Sequence, residues 1–175
     1  MYRVVITGAE STGKTTLAEQ LAAHFEAPFS REFVRDFVQS IDRPIREQDL
    51  NAIMNGQIKY ENEACENTTR LVFHDTNLLS NVIYADYYFD QHPRELDLAL
   101  SENQYDLYLF CQNEIPWVDD GAQRDSPLAR DEIHQAFGEM LKDCAIPAIK
   151  IKGSPEDRFH QAINTIQEYL NKRKI

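Results

Sequence analysis

Cysteine is scarce in this chain: three in 175 residues, Cys65, Cys111 and Cys144, odd in number and far apart. They form neither a disulfide framework nor a metal-type spacing, and a reduced, cytosolic compartment is the expectation. Basic residues are also short, 18 Lys and Arg against 29 Asp and Glu, for a formal net charge of −11. A nucleic-acid backbone is held by a positive surface that displaces counterions, so this balance argues against DNA or RNA as the main partner. It leaves a nucleotide open, because a few local cations can hold one. No apolar run approaches the roughly 18 residues of a membrane span, so no membrane partner is expected. A strand-like run starts almost at Met1, and no signal peptide is expected before it. Repeats, low-complexity tracts and Gly/Ser linkers are missing as well. With 42% hydrophobic residues, the expectation is one domain over residues 1–175 with a real core.

What is present alternates. "YRVVITG", a short "APFS", "RLVFHDT", "YDLYLFCQ" and "PAIKIKG" read as strands. Between them, helical spacing appears from Lys14, with Leu17, Leu21 and Phe25 on one face. "REFVRDFVQSI" reads as a helix, and "REQDLNAIMNGQIKYENEACENTTR" as a long one with Leu50, Ile53, Met54 and Ile58 inward. A helix from Asn77 carries Leu79, Val82, Ile83 and Tyr87, and another runs to about Cys144. The last starts at Ser154-Pro155, an N-cap followed by proline at the first helical position, with Phe159, Ile163, Ile166 and Leu170 inward. Such alternation predicts an α/β fold, a parallel sheet sandwiched by helices, with the functional loops after the strand ends on one edge.

The first of those loops has a chemistry of its own. Gly8, four residues, then Gly13, Lys14 and Thr15 match the phosphate-binding P-loop, with a strand before and a helix behind. Its glycines let successive N–H groups curl onto one anion, and the helix N-terminus adds partial positive charge. Lys14 is expected to reach the β- and γ-phosphates and the Thr15 hydroxyl to bind Mg2+. The ATP-binding set is Gly8, Glu10, Ser11, Thr12, Gly13, Lys14, Thr15 and Thr16.

Around the loop, Asp75 ends the "RLVFHDT" strand, where such folds place a carboxylate near magnesium; an N-cap for the next helix is the competing reading. Glu32 and Arg35 follow the short strand, where a carboxylate can orient or deprotonate an acceptor hydroxyl. Asp36 competes for that role, and a salt-bridged surface helix accounts for the same spacing. Arg124 and Arg130 fall in a polar stretch, about 113–135, that reads as a lid able to neutralise charge on a transferred phosphate. Trp117, beside Asp119 and Asp120, fits stacking on a flat ring as well as it fits anchoring the lid. Tyr84, Tyr87 and Tyr88 read mainly as core or groove, with Tyr84 kept as a substrate contact. His24, His74 and His134 show no ligand spacing and read as structural. The loop around Gly153 and Ser154 is expected at the base site.

Taken in order, "GAESTGKTTLAEQLA", "REFVRDFV", "GQIKYENEA", "LVFHDTNLLSNVIYADYYF" and "YDLYLFCQNEIPWVDDGAQRD" resemble the ribosylnicotinamide kinase domain of the bacterial NAD-biosynthesis regulator and its stand-alone relatives. The likeness runs from about residue 3 to 142. It implies a P-loop kinase fold with five parallel strands and ATP-dependent phosphorylation of the 5′-hydroxyl of nicotinamide riboside. Carried over by position, it implies Lys14, Glu32, Arg35, Asp75, Arg124 and Arg130 as catalytic residues. It places Glu32 and Arg35 near the acceptor hydroxyl, Trp117 and Asp120 at the nucleoside, and Thr15 and Asp75 at Mg2+. The regulator's helix-turn-helix and adenylyltransferase parts are not expected here, and no His-x-Gly-His signature occurs. Two alternatives stand beside this reading: a regulatory ATPase acting on a protein partner, and a kinase of another nucleoside or vitamin. A guanine-reading switch would need Asn/Thr-Lys-x-Asp after a late strand, and "QNEI" and "IKGSPED" lack it.

Overall fold

The computed structural model describes residues 1–68, 70–91, 104–116 and 127–173. Strand β1 (Tyr2–Thr7) leads into helix α1 (Lys14–Phe25), then β2 (Phe29–Ser30), α2 (Phe33–Ser40) and α3 (Leu50–Glu66). There follow β3 (Leu71–Asp75), α4 (Leu78–Phe89), β4 (Leu107–Cys111), α5 (Pro127–Asp143), β5 (Ala148–Ile151) and α6 (Pro155–Arg173). All strand pairs are parallel, in the order β2-β3-β1-β4-β5. The predicted sheet and its flanking helices are therefore present.

The two-residue period of the strands sorts the core into two layers. Val4 and Ile6 of β1 face Leu17 and Leu21 of α1 and Ile163 and Ile166 of α6. Val5 points the other way, into a layer with Leu79 and Ile83 of α4 and Ile133 and Phe137 of α5. Every residue of β3 and β4 is buried, as expected for strands covered on both faces. Register then decides what lies beside the loop. Ile6 pairs with Asp75 on one side and Leu109 on the other, so Asp75 ends β3 level with the end of β1, just before Gly8. The chain runs to β2 and β3 on one side of β1 and to β4 and β5 on the other, which opens a crevice at β1.

Two sequence expectations need correction. The long helix predicted from "REQDL" starts only at Leu50, because a 3-10 turn, Glu47–Asp49, precedes it. Asp49 holds that turn by accepting from the Arg46 amide and both terminal nitrogens of Arg43. Tyr87, expected inward, is 39% exposed and donates its hydroxyl to Glu132 of α5. The N-cap prediction for α6 is met: Ser154 Oγ accepts from the Asp157 amide and Asp157 accepts from the Ser154 amide. Among the described residues no helix is long and apolar enough to cross a membrane.

Candidate active site

The turn from β1 to α1 is built for a backbone that approaches its neighbours closely. Gly8 sits at φ +139°, and a Cβ there would come within 2.8 Å of the Cys111 carbonyl oxygen. Gly13, at φ +76°, caps α1 in the left-handed region, with no side chain bonded to the first-turn amides. Those amides keep their donors for an anion. Inside the loop Thr12 Oγ1 donates to the Ala9 carbonyl at 2.8 Å, and the buried Lys14 amine lies 3.4 Å from the same oxygen.

Two buried arginines hold the outer side of this turn. Arg158 of α6 donates to the carbonyls of Thr12 at 3.0 Å, Gln112 at 2.9 Å and Gly153 at 2.8 Å. Arg130 of α5 donates to the carbonyls of Ser11, Asn113 and Ile115. These bonds occupy the Ser11 and Thr12 carbonyls of the loop. Glu114 accepts from the Gly153 amide at 2.8 Å, which joins the ends of β4 and β5 beside the loop.

Thr15, Asp75, Glu32 and Arg35 meet next to Lys14. Arg35 donates from Nη2 to the Thr15 hydroxyl at 3.1 Å and from Nε to Glu32 at 2.9 Å. Asp75 is buried beside the Thr15 hydroxyl, and its Oδ1 has no hydrogen-bond partner. Burial, and then the nearby Glu32 charge, push its pKa up to about 6 against the pull of Lys14, Thr15 and Arg35. The N-cap of α4 is Asn77, whose side chain accepts from the Leu79 amide, so the capping alternative for Asp75 is removed. Asp75 and the Thr15 hydroxyl offer two hard oxygens at the foot of the loop, and the orphan Oδ1 fits a magnesium ion arriving with a nucleotide. Across the site, Tyr84 donates to Glu10 Oε2 at 3.0 Å and Glu10 Oε1 is buried without a partner. Burial, then Glu10 and Glu32, hold the Tyr84 phenol well above its ordinary pKa.

A phosphate loop, a metal-type carboxylate at the end of β3 and a helix sheet of this order now stand together. A family described as AAA domain matches residues 3–158. The chain belongs to this AAA domain family. Its sequence is 26% identical over 177 residues to the trifunctional NAD biosynthesis/regulator protein NadR of Escherichia coli (strain K12), covering 98% of this chain and 43% of that protein. This AAA domain thus spans less than half the length of that curated relative. It superposes on a crystal structure of NadR protein in complex with NR at a TM-score of 0.81 and 26% identity, covering 96% of this chain and 51% of that one. The resemblance to the bacterial NAD-biosynthesis regulator is therefore borne out over nearly the whole chain. A thymidylate kinase from Ehrlichia chaffeensis shares the fold, at a TM-score of 0.70 with 14% identity, covering 94% and 98%. The P-loop kinase fold is thereby established for this AAA domain.

Of the residues singled out from sequence, the structure gathers Lys14, Thr15, Glu32, Arg35 and Asp75 into one cluster and pairs Glu10 with Tyr84. Arg130 lies on backbone carbonyls behind the loop. Trp117, Asp119, Asp120 and Arg124 lie outside the described residues, as does the middle of the stretch read as a lid. Arg158 was not foreseen. Its place three residues after Pro155 looks like any polar position of an amphipathic helix, and its partners are carbonyls, which leave no trace in side-chain identity.

Proposed function

We propose that this AAA domain transfers the γ-phosphoryl group of MgATP to the 5′-hydroxyl of nicotinamide riboside, giving nicotinamide mononucleotide. The observation that carries this reading is the Glu32–Arg35 pair brought onto Thr15 beside Asp75. A triphosphate is held by the loop and one metal-side carboxylate; a second carboxylate in reach is what transfer to a hydroxyl adds. The NadR protein solved with NR supports the choice of acceptor.

In this mechanism the loop amides and Lys14 hold the β- and γ-phosphates, and Thr15 and Asp75 would hold the Mg2+ that comes with ATP, which would supply charge neutralisation at the phosphate oxygens. Glu32, kept in place by Arg35, orients the acceptor hydroxyl and takes its proton as the oxygen attacks the γ-phosphorus. The bond to the β-phosphate oxygen breaks, and ADP leaves with that electron pair. Tyr84, with Trp117 and Asp120, is assigned to the nucleoside, and Arg124 to the transferring phosphate. Arg130 is assigned to shaping the loop, from its hold on the Ser11 carbonyl.

A product assay with MgATP over a nucleoside panel that includes nicotinamide riboside tests the proposal. Nicotinamide mononucleotide is the expected product. Glu32→Gln is expected to lower kcat by about a hundredfold or more, the usual worth of a positioned base, with ADP affinity little changed. ADP release at one rate with and without every nucleoside would overturn the kinase reading in favour of a regulatory ATPase.

A further inference from the structure

Helix α2 carries Glu32 at its N-cap and Arg35 in its first turn, yet none of its residues is fully buried. Apart from the bond of Arg35 to Thr15, its main hold among the described residues is on α3. The Phe33 ring occupies the space over Gly56, where an added Cβ would run into three of the ring carbons. Beside that notch, the Gln57 side-chain carbonyl accepts from the Phe33 amide at 2.9 Å. One turn further on, Tyr60 meets the Phe33 ring edge-on at 5.1 Å and donates its hydroxyl to Asp36 at 2.7 Å.

This seat is itself anchored in the sheet. Gln57 is buried, and its amide nitrogen points to Glu61 at 3.4 Å. Glu61 in turn is held by Arg3 of β1 at 2.9 Å and by Tyr105, just before β4, at 2.7 Å. A chain of hydrogen bonds thus runs from the central strands, through α3, to the first amide of α2. The next residue back is Glu32.

We infer that Gly56, Gln57 and Tyr60 are positioning residues for the acceptor side of the reaction: they set where α2 presents Glu32 and Arg35 to Thr15. The inference rests on the phosphoryl-transfer reading above and adds to it three residues that belong neither to the phosphate loop nor to the cluster around Asp75. The physical argument is one of tolerance. A half-buried helix with few other holds adopts the orientation its seat imposes, and displacements of about 1 Å at a catalytic group are enough to slow a reaction a hundredfold.

Gly56→Ala is the discriminating variant, because glycine to alanine inside a helix favours the helix itself. A loss of function in it cannot be ascribed to weakening α3. The amides of residues 33–40 are expected to exchange with deuterium at least tenfold faster, with those of α4 unchanged. The value of kcat/KM for the nucleoside is expected to fall at least tenfold, while ADP affinity by calorimetry stays within twofold. Gln57→Leu is expected to show the same split. Adding Phe33→Ala to Gly56→Ala is expected to cause no further loss, since the ring and the notch act as one contact. Unchanged exchange over 33–40 in Gly56→Ala would overturn the seat. Equal losses of ADP affinity and kcat/KM, or additive losses in the double variant, would overturn its positioning role. If the unmodified protein phosphorylates no nucleoside, the kinase reading fails, and the positioning role, which rests on it, is overturned with it; the exchange measurement still separates that result from failure of the seat.

Discussion

Asp75 shows at the scale of one residue how the site opposes the fold. Its carboxyl is buried, one oxygen lacks a partner, and its pKa is pushed from 3.8 to about 6. Above pH 6 the native state therefore carries an ionised group that the unfolded chain would ionise more readily, at a cost of about 3 kcal/mol. Asp75→Asn removes that charge. Thermal melting at pH 7.5 is expected to show the variant more stable by about 2–3 kcal/mol, with ATP-dependent turnover lost because the carboxylate proposed to hold Mg2+ is gone. A variant no more stable than the parent would contradict the cost assigned to burial. The residue type and its place after an apolar strand were readable beforehand. That it would not serve as the N-cap was not, because this turned on Asn77 taking the cap.

At the scale of elements, Arg158 joins α6 to three segments far apart in sequence, through Thr12, Gln112 and Gly153. Hydrogen bonds from a charged donor contribute about 1.5–3 kcal/mol each, and truncation leaves the carbonyls unmet. Arg158→Ala is expected to lower stability by about 3 kcal/mol and to weaken ADP binding at least tenfold. Arg158→Lys is expected to recover only part of either, since one ammonium cannot span three diverging oxygens. Calorimetry and melting curves on the same samples check both. Nucleotide affinity unchanged in Arg158→Ala would remove the arginine from the loop's support. The elements it joins were legible from alternation of strand and helix. The joint between them was not, because a backbone carbonyl can be supplied by any residue.

Over the whole molecule, titration of buried groups sets the pH dependence of stability. Burial raises Glu61 from 4.5 to about 7 against the donors Tyr105, Arg3 and Gln57. The native chain holds that proton more tightly than the unfolded one, so stability falls as pH climbs past 4.5 and the loss is complete above 7. His74 works from the other side. Burial, then Arg3, depresses its pKa well below 6.5, so its contribution is lost as pH falls below 6.5. The geometry agrees, since its Nε2 accepts from Arg3 and Nδ1 meets the Ser30 hydroxyl. Melting temperature is expected to rise by roughly 2 °C between pH 8 and 6.5 and to keep rising towards pH 5, because Glu61 and Asp75 together gain more than His74 loses. A melting temperature that falls from pH 8 to 6.5 would refute this balance.

The sequence alone determined the class of sheet, the order of its elements, the phosphate loop and the candidate carboxylates. These depend on local periodicity and on residue types whose chemistry is scarce. Tertiary structure decided which of them meet. Only strand register brings Asp75 level with the loop, and only the packing of α2 on α3 carries Glu32 and Arg35 to Thr15. Contacts of that kind join residues separated by tens of positions, through backbone atoms and through empty space over a glycine. Neither is written in the identity of any one residue.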